Sequence, residues 1–126
     1  MKRIILTIAA VLTLMSCTPE DTVNENSIYA KVTSKSAWVF PTKKDSGLRF
    51  KYNSNNELVM NFVDLDTIQG CYRTTGEYRG YYMTEDEFYV LWNDTELYYT
   101  MDNSILRMKV QNASAYYEAN ETPICN

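Results

Sequence analysis

Phe88-Tyr89-Val90-Leu91-Trp92, Leu97-Tyr98-Tyr99-Thr100-Met101 and Leu106-Arg107-Met108-Lys109-Val110 follow one another with only Asn93-Asp94-Thr95-Glu96 and Asp102-Asn103-Ser104-Ile105 between them. Each stretch has a period of two, and each interruption is rich in turn formers, the signature of half-buried strands in hairpins. Facing residues of a hairpin share one side of the sheet. Pairing Trp92 with Leu97 sets Val90 against Tyr99 and Phe88 against Met101. Met101 then faces Leu106, Tyr99 faces Met108 and Leu97 faces Val110. One apolar face results, made of Phe88, Val90, Trp92, Leu97, Tyr99, Met101, Leu106, Met108 and Val110. Tyr89, Leu91, Tyr98, Thr100, Arg107 and Lys109 take the other.

The same period runs outward from this segment, as in Leu48-Arg49-Phe50-Lys51-Tyr52. It predicts strands at 28–33, 37–41, 47–53, 57–63, 68–75, 78–83, 87–92, 96–101, 105–111 and 113–118. The turns between them include Asp45-Ser46-Gly47, Asn53-Ser54-Asn55-Asn56 and Thr75-Gly76-Glu77. No segment carries a helical stripe. Short loops make successive strands antiparallel neighbours, a meander. So many short strands must close or stack, because one open sheet leaves a long edge and a wet apolar face. The expectation is an all-β domain over 28–126, either a barrel or a two-sheet sandwich.

The chain has 126 residues, 45 % of them hydrophobic and 22 % charged, which suits one globular domain and excludes a disordered chain. It has 11 Tyr and no His, so imidazole-dependent nucleophile systems and His-bound zinc are excluded. A net charge of −4 argues against nucleic acid as partner. Glu85-Asp86-Glu87 and Asp64-x-Asp66 lack the spacing of a calcium loop and read as solvated turns. No carboxylate pair stands out for glycoside hydrolysis. The expectation is no enzyme, no metal and no cofactor.

The N-terminus indicates where the protein resides. Met1-Lys2-Arg3 is a positive start, and Ile4 to Met15 is an apolar run too short to span a bilayer. It ends in Leu14-Met15-Ser16-Cys17, which resembles the lipobox of bacterial lipoprotein precursors. That resemblance implies cleavage after residue 16 and acylation of Cys17 on both its thiol and its new amino group. Two or more acyl chains hold a protein on a membrane almost irreversibly. Loss of Lys2 and Arg3 takes the net charge from −4 to −6. Residues 18–27, Thr-Pro-Glu-Asp-Thr-Val-Asn-Glu-Asn-Ser, hold a single apolar side chain and predict a disordered acidic tether of at most about 33 Å. Thr18 after the cysteine resembles the outer-membrane sorting pattern, and the acidic residues resemble the export signal of Bacteroidota surface lipoproteins. Asp21-Thr22-Val23 and Asp66-Thr67-Ile68 resemble the O-glycosylation motif of the same group, Thr22 being the candidate. The second half of the chain resembles small lipocalin-like domains of bacterial lipoproteins. Gly70-Cys71-Tyr72 stands where these open with Gly-x-Trp, and Tyr99-Thr100-Met101-Asp102-Asn103-Ser104-Ile105-Leu106 is similar to their strand–turn–strand phrase.

Cys71 and Cys125 are the remaining thiols. In an oxidising compartment an even pair reads first as a disulfide, with two free thiols or an intermolecular bond as alternatives. The pairs Tyr81-Tyr82, Tyr98-Tyr99 and Tyr116-Tyr117 must each send one ring to each face of a strand. With Tyr99 in the core, Tyr98 lies outside beside Leu91, Tyr89 and Lys109. These four are the candidate binding residues, suited to a glycan or protein partner; the alternative is that the rings only cover structure. The functional expectations are therefore a surface lipoprotein that binds a macromolecule, a lipocalin-like carrier of a small apolar ligand, or a structural envelope component. A carrier requires a cavity lined by Phe88, Val90, Trp92, Tyr99, Met101 and Met108.

Overall fold

The computed structural model describes residues 26–126. A helix, α1 (Ile28–Thr33), precedes β1 (Ala37–Phe40), β2 (Lys43–Tyr52), β3 (Leu58–Asp66), β4 (Cys71–Thr84), β5 (Glu87–Trp92), β6 (Thr95–Asp102), β7 (Ile105–Val110) and β8 (Ala113–Asn120). Every strand pairs antiparallel with the next, and β1 closes on β8 with Trp38 opposite Ala119. The architecture is an eight-stranded up-and-down barrel, which leaves the sandwich alternative aside. Closure removes the edges that an open meander would expose.

Two corrections, touching three of the ten expected strands, bring the count to eight. Residues 28–33 form α1. Ser27 caps the helix, its Oγ accepting from Ala30 N–H at 3.3 Å, and the Ile28 N–H donates to the Glu85 carbonyl at 2.9 Å. Ile28, Tyr29 and Val32 are buried at one end of the barrel with Trp38, so six residues become helical through what they pack on, too few for a period to register. Ser27 is buried as well and belongs to the fold instead of the tether. The expected strands 68–75 and 78–83 are one strand, β4. Gly76, at φ 69°, is absorbed within the ladder, and the chain turns earlier. There the Asp66 carboxylate accepts the Ile68 and Gln69 N–H groups, and Gly70 takes φ 70°.

The register of β6 with β7 is as expected, with Met101 opposite Leu106 and Tyr99 opposite Met108. Between β5 and β6 it is shifted by two: Trp92 faces Thr95, Val90 faces Leu97 and Phe88 faces Tyr99. The cause is a two-residue turn in which Asn93 and Asp94 both adopt positive φ, 48° and 66°, the hairpin geometry that matches strand twist. A shift of two preserves the faces, so the expected apolar face does point inward.

Phe50, Phe88 and Tyr99 fill the barrel's centre. Phe88 stacks on Tyr99 at 5.2 Å, and Phe50 meets both edge-on. The Tyr99 hydroxyl donates to the Met60 sulfur at 3.2 Å. Full burial of each such side chain contributes roughly 1.5–3 kcal/mol. Burial also pushes the Tyr29 and Tyr117 hydroxyls up to about 12, and Tyr99 well above its ordinary value. A hydroxyl raised in the folded state stabilises fully below pH 10 and loses that contribution as pH climbs through about 12. We expect constant stability to pH 10, then cooperative unfolding near pH 11–12 in which these rings ionise together. Tyrosinate absorbance followed alongside circular dichroism checks this; ionisation of all tyrosines with the fold intact would refute it.

A second cluster lies on the barrel's outer wall. Ala37, Val39, Val63 and Tyr72 are buried there with Leu65 and Ile124. The chain end covers them: Tyr72 N–H donates to the Pro123 carbonyl, and Cys125 N–H returns to the Tyr72 carbonyl, both at 2.8 Å. The Cys71–Cys125 disulfide fixes this tail, and the Tyr72 hydroxyl reaches the Lys44 carbonyl at 2.6 Å. Gly47, opposite Val39, permits the close approach of β1, because a β-carbon there would lie 2.0 Å from the Trp38 carbonyl oxygen.

Candidate functional site

Two surfaces remain after the core is accounted for, one on the wall and one at the open end.

On the wall, the closed register aligns outward residues of four strands in one row. Tyr81 of β4 faces Tyr89 of β5, Tyr89 faces Tyr98 of β6, and Tyr98 faces Lys109 of β7. Tyr81 and Tyr89 stack at 5.0 Å with planes 19° apart, and Tyr89 meets Tyr98 at 5.7 Å. The Arg79 guanidinium sits 5.1 Å from the Tyr81 ring centre, held from its other side by Glu57 at 2.8 Å. Beside the row, Leu91 is exposed and opposes Glu96. The Glu96 carboxylate accepts the Tyr98 hydroxyl, and that bond raises the hydroxyl above its usual range.

All four expected residues, Tyr89, Leu91, Tyr98 and Lys109, therefore stand on one outer patch. Tyr81 and Arg79 complete it; Tyr81 is expected from the sequence only as one of a pair split between two faces, and Arg79 is not expected at all. Their signal was present in Thr84-Glu85-Asp86-Glu87, a hairpin that pairs Tyr81 with Tyr89. Cys71 and Cys125 are bonded to each other. Cys17 and Thr22 lie outside the described residues.

The barrel's two ends differ. At one, α1 packs under the core, with the Tyr29 hydroxyl sharing its one proton between the Thr84 and Glu87 carbonyls, 2.6 and 2.9 Å away. At the other, aromatic rings line the opening: Phe62 meets Tyr78 at 5.4 Å and Trp92 at 6.0 Å, and Phe40 meets Tyr117 at 4.8 Å. A cavity of about 270 Å³ opens here between Phe40, Leu48, Phe62 and Tyr117, with Ser46, Gly47, Val63 and Asp64 completing its wall. The residues expected to surround a carried ligand do not line this cavity. Phe88, Val90 and Tyr99 are buried against neighbouring side chains, while Trp92 stands at the rim, 38 % exposed.

No protein-family model, curated protein or solved structure matches this chain.

Proposed function

We propose that the protein is a non-enzymatic lipoprotein of the cell outer membrane, anchored through Cys17, that holds a macromolecular partner on its tyrosine row. The observation that carries this reading is the registered line Tyr81–Tyr89–Tyr98–Lys109, ended by Arg79. The three neighbouring rings are only half buried on the outer wall, and Tyr and Arg concentrate at the centres of protein interfaces.

Between glycan and protein, the ring geometry favours a protein. A sugar packs on a free aromatic face. Here Tyr81 and Tyr89 stack on each other, and Arg79 lies against Tyr81, so those faces are engaged within the row. Ring edges, hydroxyls, Leu91 and the Lys109 ammonium are what remains to offer, Arg79 being paired with Glu57, a set that suits a protein surface with acidic and apolar groups. The tether would give the barrel freedom to reach such a partner above the membrane.

One experiment in the protein's own cells tests anchor and row together. A photo-cross-linking residue replaces Tyr89 in one strain and Lys43, exposed at the start of β2 and outside the row, in another. We expect a membrane-bound adduct heavier by one polypeptide from position 89 only, weakened about tenfold or more by Tyr98→Ala, in line with a central interface residue. In the Cys17→Ala background the protein should leave the membrane fraction still folded. Equal adducts from both positions, or an adduct that glycosidases dissolve, would sink the protein-partner reading. A Cys17→Ala chain that stays in the membrane pellet would sink the anchor.

The carrier reading keeps one supporting observation, the cavity at the barrel's open end, and it moves the ligand from the centre to the mouth.

A further inference from the structure

We infer that the cavity at the open end is a binding site for a small primary amine with a short apolar body, independently of the tyrosine row. Its inner wall is apolar, formed by Phe40, Leu48, Phe62 and Tyr117. Besides the Tyr117 hydroxyl, its polar groups are the Ser46 hydroxyl and the Asp64 carboxylate, whose residues oppose each other directly across β2 and β3.

The charge balance around Asp64 selects the ligand. Arg73 opposes Asp64 in the β3–β4 register, yet its guanidinium is committed elsewhere, to Asp66 at 2.7 Å and 2.9 Å. Lys44, at the start of β2, is committed to Glu118 at 3.1 Å. Among the described residues no cation pairs with the Asp64 side chain and no donor bonds to it. The cavity thus presents one unneutralised carboxylate, one hydroxyl beside it and three aromatic rings. An ammonium answers all three: it donates to Asp64 and Ser46, and it is attracted to ring faces. Its hydrocarbon tail takes the apolar wall. A carboxylate ligand would face Asp64 directly, and a neutral one would desolvate that charge without compensation. A volume of about 270 Å³ falls below the range of drug-sized pockets, which limits the body to a short chain or one ring.

The test uses the full-length protein, isotopically labelled in detergent micelles, titrated with n-butylammonium, 1-butanol and butyrate while backbone amide shifts are followed. The expected result is saturable movement of the Ser46, Leu48, Val63 and Asp64 amides with the amine. The alcohol should bind at least tenfold more weakly there, and butyrate should leave these amides in place. Asp64→Asn should bring the amine down to the alcohol's affinity, a loss of about tenfold for one charge-assisted bond. Asp64 is exposed and unpaired, so the variant keeps its fold. Equal binding of amine and alcohol, an unaltered amine response in Asp64→Asn, or amine shifts confined to other surfaces would each overturn the inference.

Discussion

Reduction of the Cys71–Cys125 bond should lower the melting temperature by about 15 °C or more, with the barrel still forming at low temperature. The bond spans a sequence separation of 54, and a loop of that size removes about 4 kcal/mol of chain entropy from the unfolded state. In a domain of about 100 residues each kcal/mol moves the midpoint by roughly 4–8 °C, so the lower end of that range already gives the stated shift. A local consequence distinguishes this from a general loss of stability. Without the bond, nothing covalent holds Pro123–Cys125 on β4, and Ile124 is free to leave the outer cluster of Ala37, Val39, Val63 and Tyr72. Amide exchange at Tyr72, whose N–H donates to the Pro123 carbonyl, should accelerate far more than exchange at Tyr99 in β6. Cys71→Ser and Cys125→Ser should reproduce both effects without reductant. An unchanged midpoint on reduction would show that the staple is energetically idle, and uniform acceleration of exchange would show a general loss of stability without release of the tail.

How much of this was legible in the sequence varies with the range of the interactions involved. The inward face from Phe88 to Val110 was readable because strand parity is local, and even the two-residue error at Trp92 left it intact. That error came from pairing Trp92 with Leu97 across an expected turn Asn93-Asp94-Thr95, when the two left-handed residues Asn93 and Asp94 suffice to turn the chain. The helix at 28–33 was not readable. Its six residues, three of them β-branched, favour a strand by propensity, and only the barrel end beneath Ile28, Tyr29 and Val32 makes them helical. Gly76 misled for a related reason: a glycine at positive φ marks a turn in isolation but can also be absorbed inside a long strand. The tyrosine row was half legible. Tyr89 and Tyr98 follow from one hairpin, while Tyr81 needs the strand before it to be placed first.

The cavity at the mouth was beyond reach of any pairwise pattern. It depends on which strands meet when the sheet closes: Tyr117 of β8 reaches Phe40 of β1 only because the first and last strands pair. The availability of Asp64 depends on a choice equally hidden in the sequence, Arg73 turning to Asp66 in the turn instead of to the carboxylate it opposes. Recognition features built from closure and from side-chain competition are the part of a small barrel that a linear reading misses.

Trp38 joins the two modules of the fold, and its truncation should have an effect as large as loss of the disulfide. The indole is buried in the main core, 2 % exposed, and its Nε1–H donates to the Val32 carbonyl at 3.0 Å. Val32 lies in the last turn of α1, where carbonyls have no intrahelical partner, so the indole both fills the barrel's end and caps the helix above it. Trp38→Ala should cost about 3–5 kcal/mol through the cavity alone, with a further contribution from the orphaned carbonyl. Trp38→Phe retains most of the volume and loses the bond, and should cost about 1–2 kcal/mol. Urea unfolding measures both. Trp92 stands at the opposite, open end at 38 % exposure, and in either variant it becomes the sole indole reporter. If α1 is held chiefly by the indole, Trp38→Phe should also release Tyr29 from the Thr84 and Glu87 carbonyls more often than the intact protein does, seen as faster exchange at the Ile28 amide. Equal costs for the two variants would mean that volume and bond do not separate at this site, and the assignment of the indole as a cap would fail.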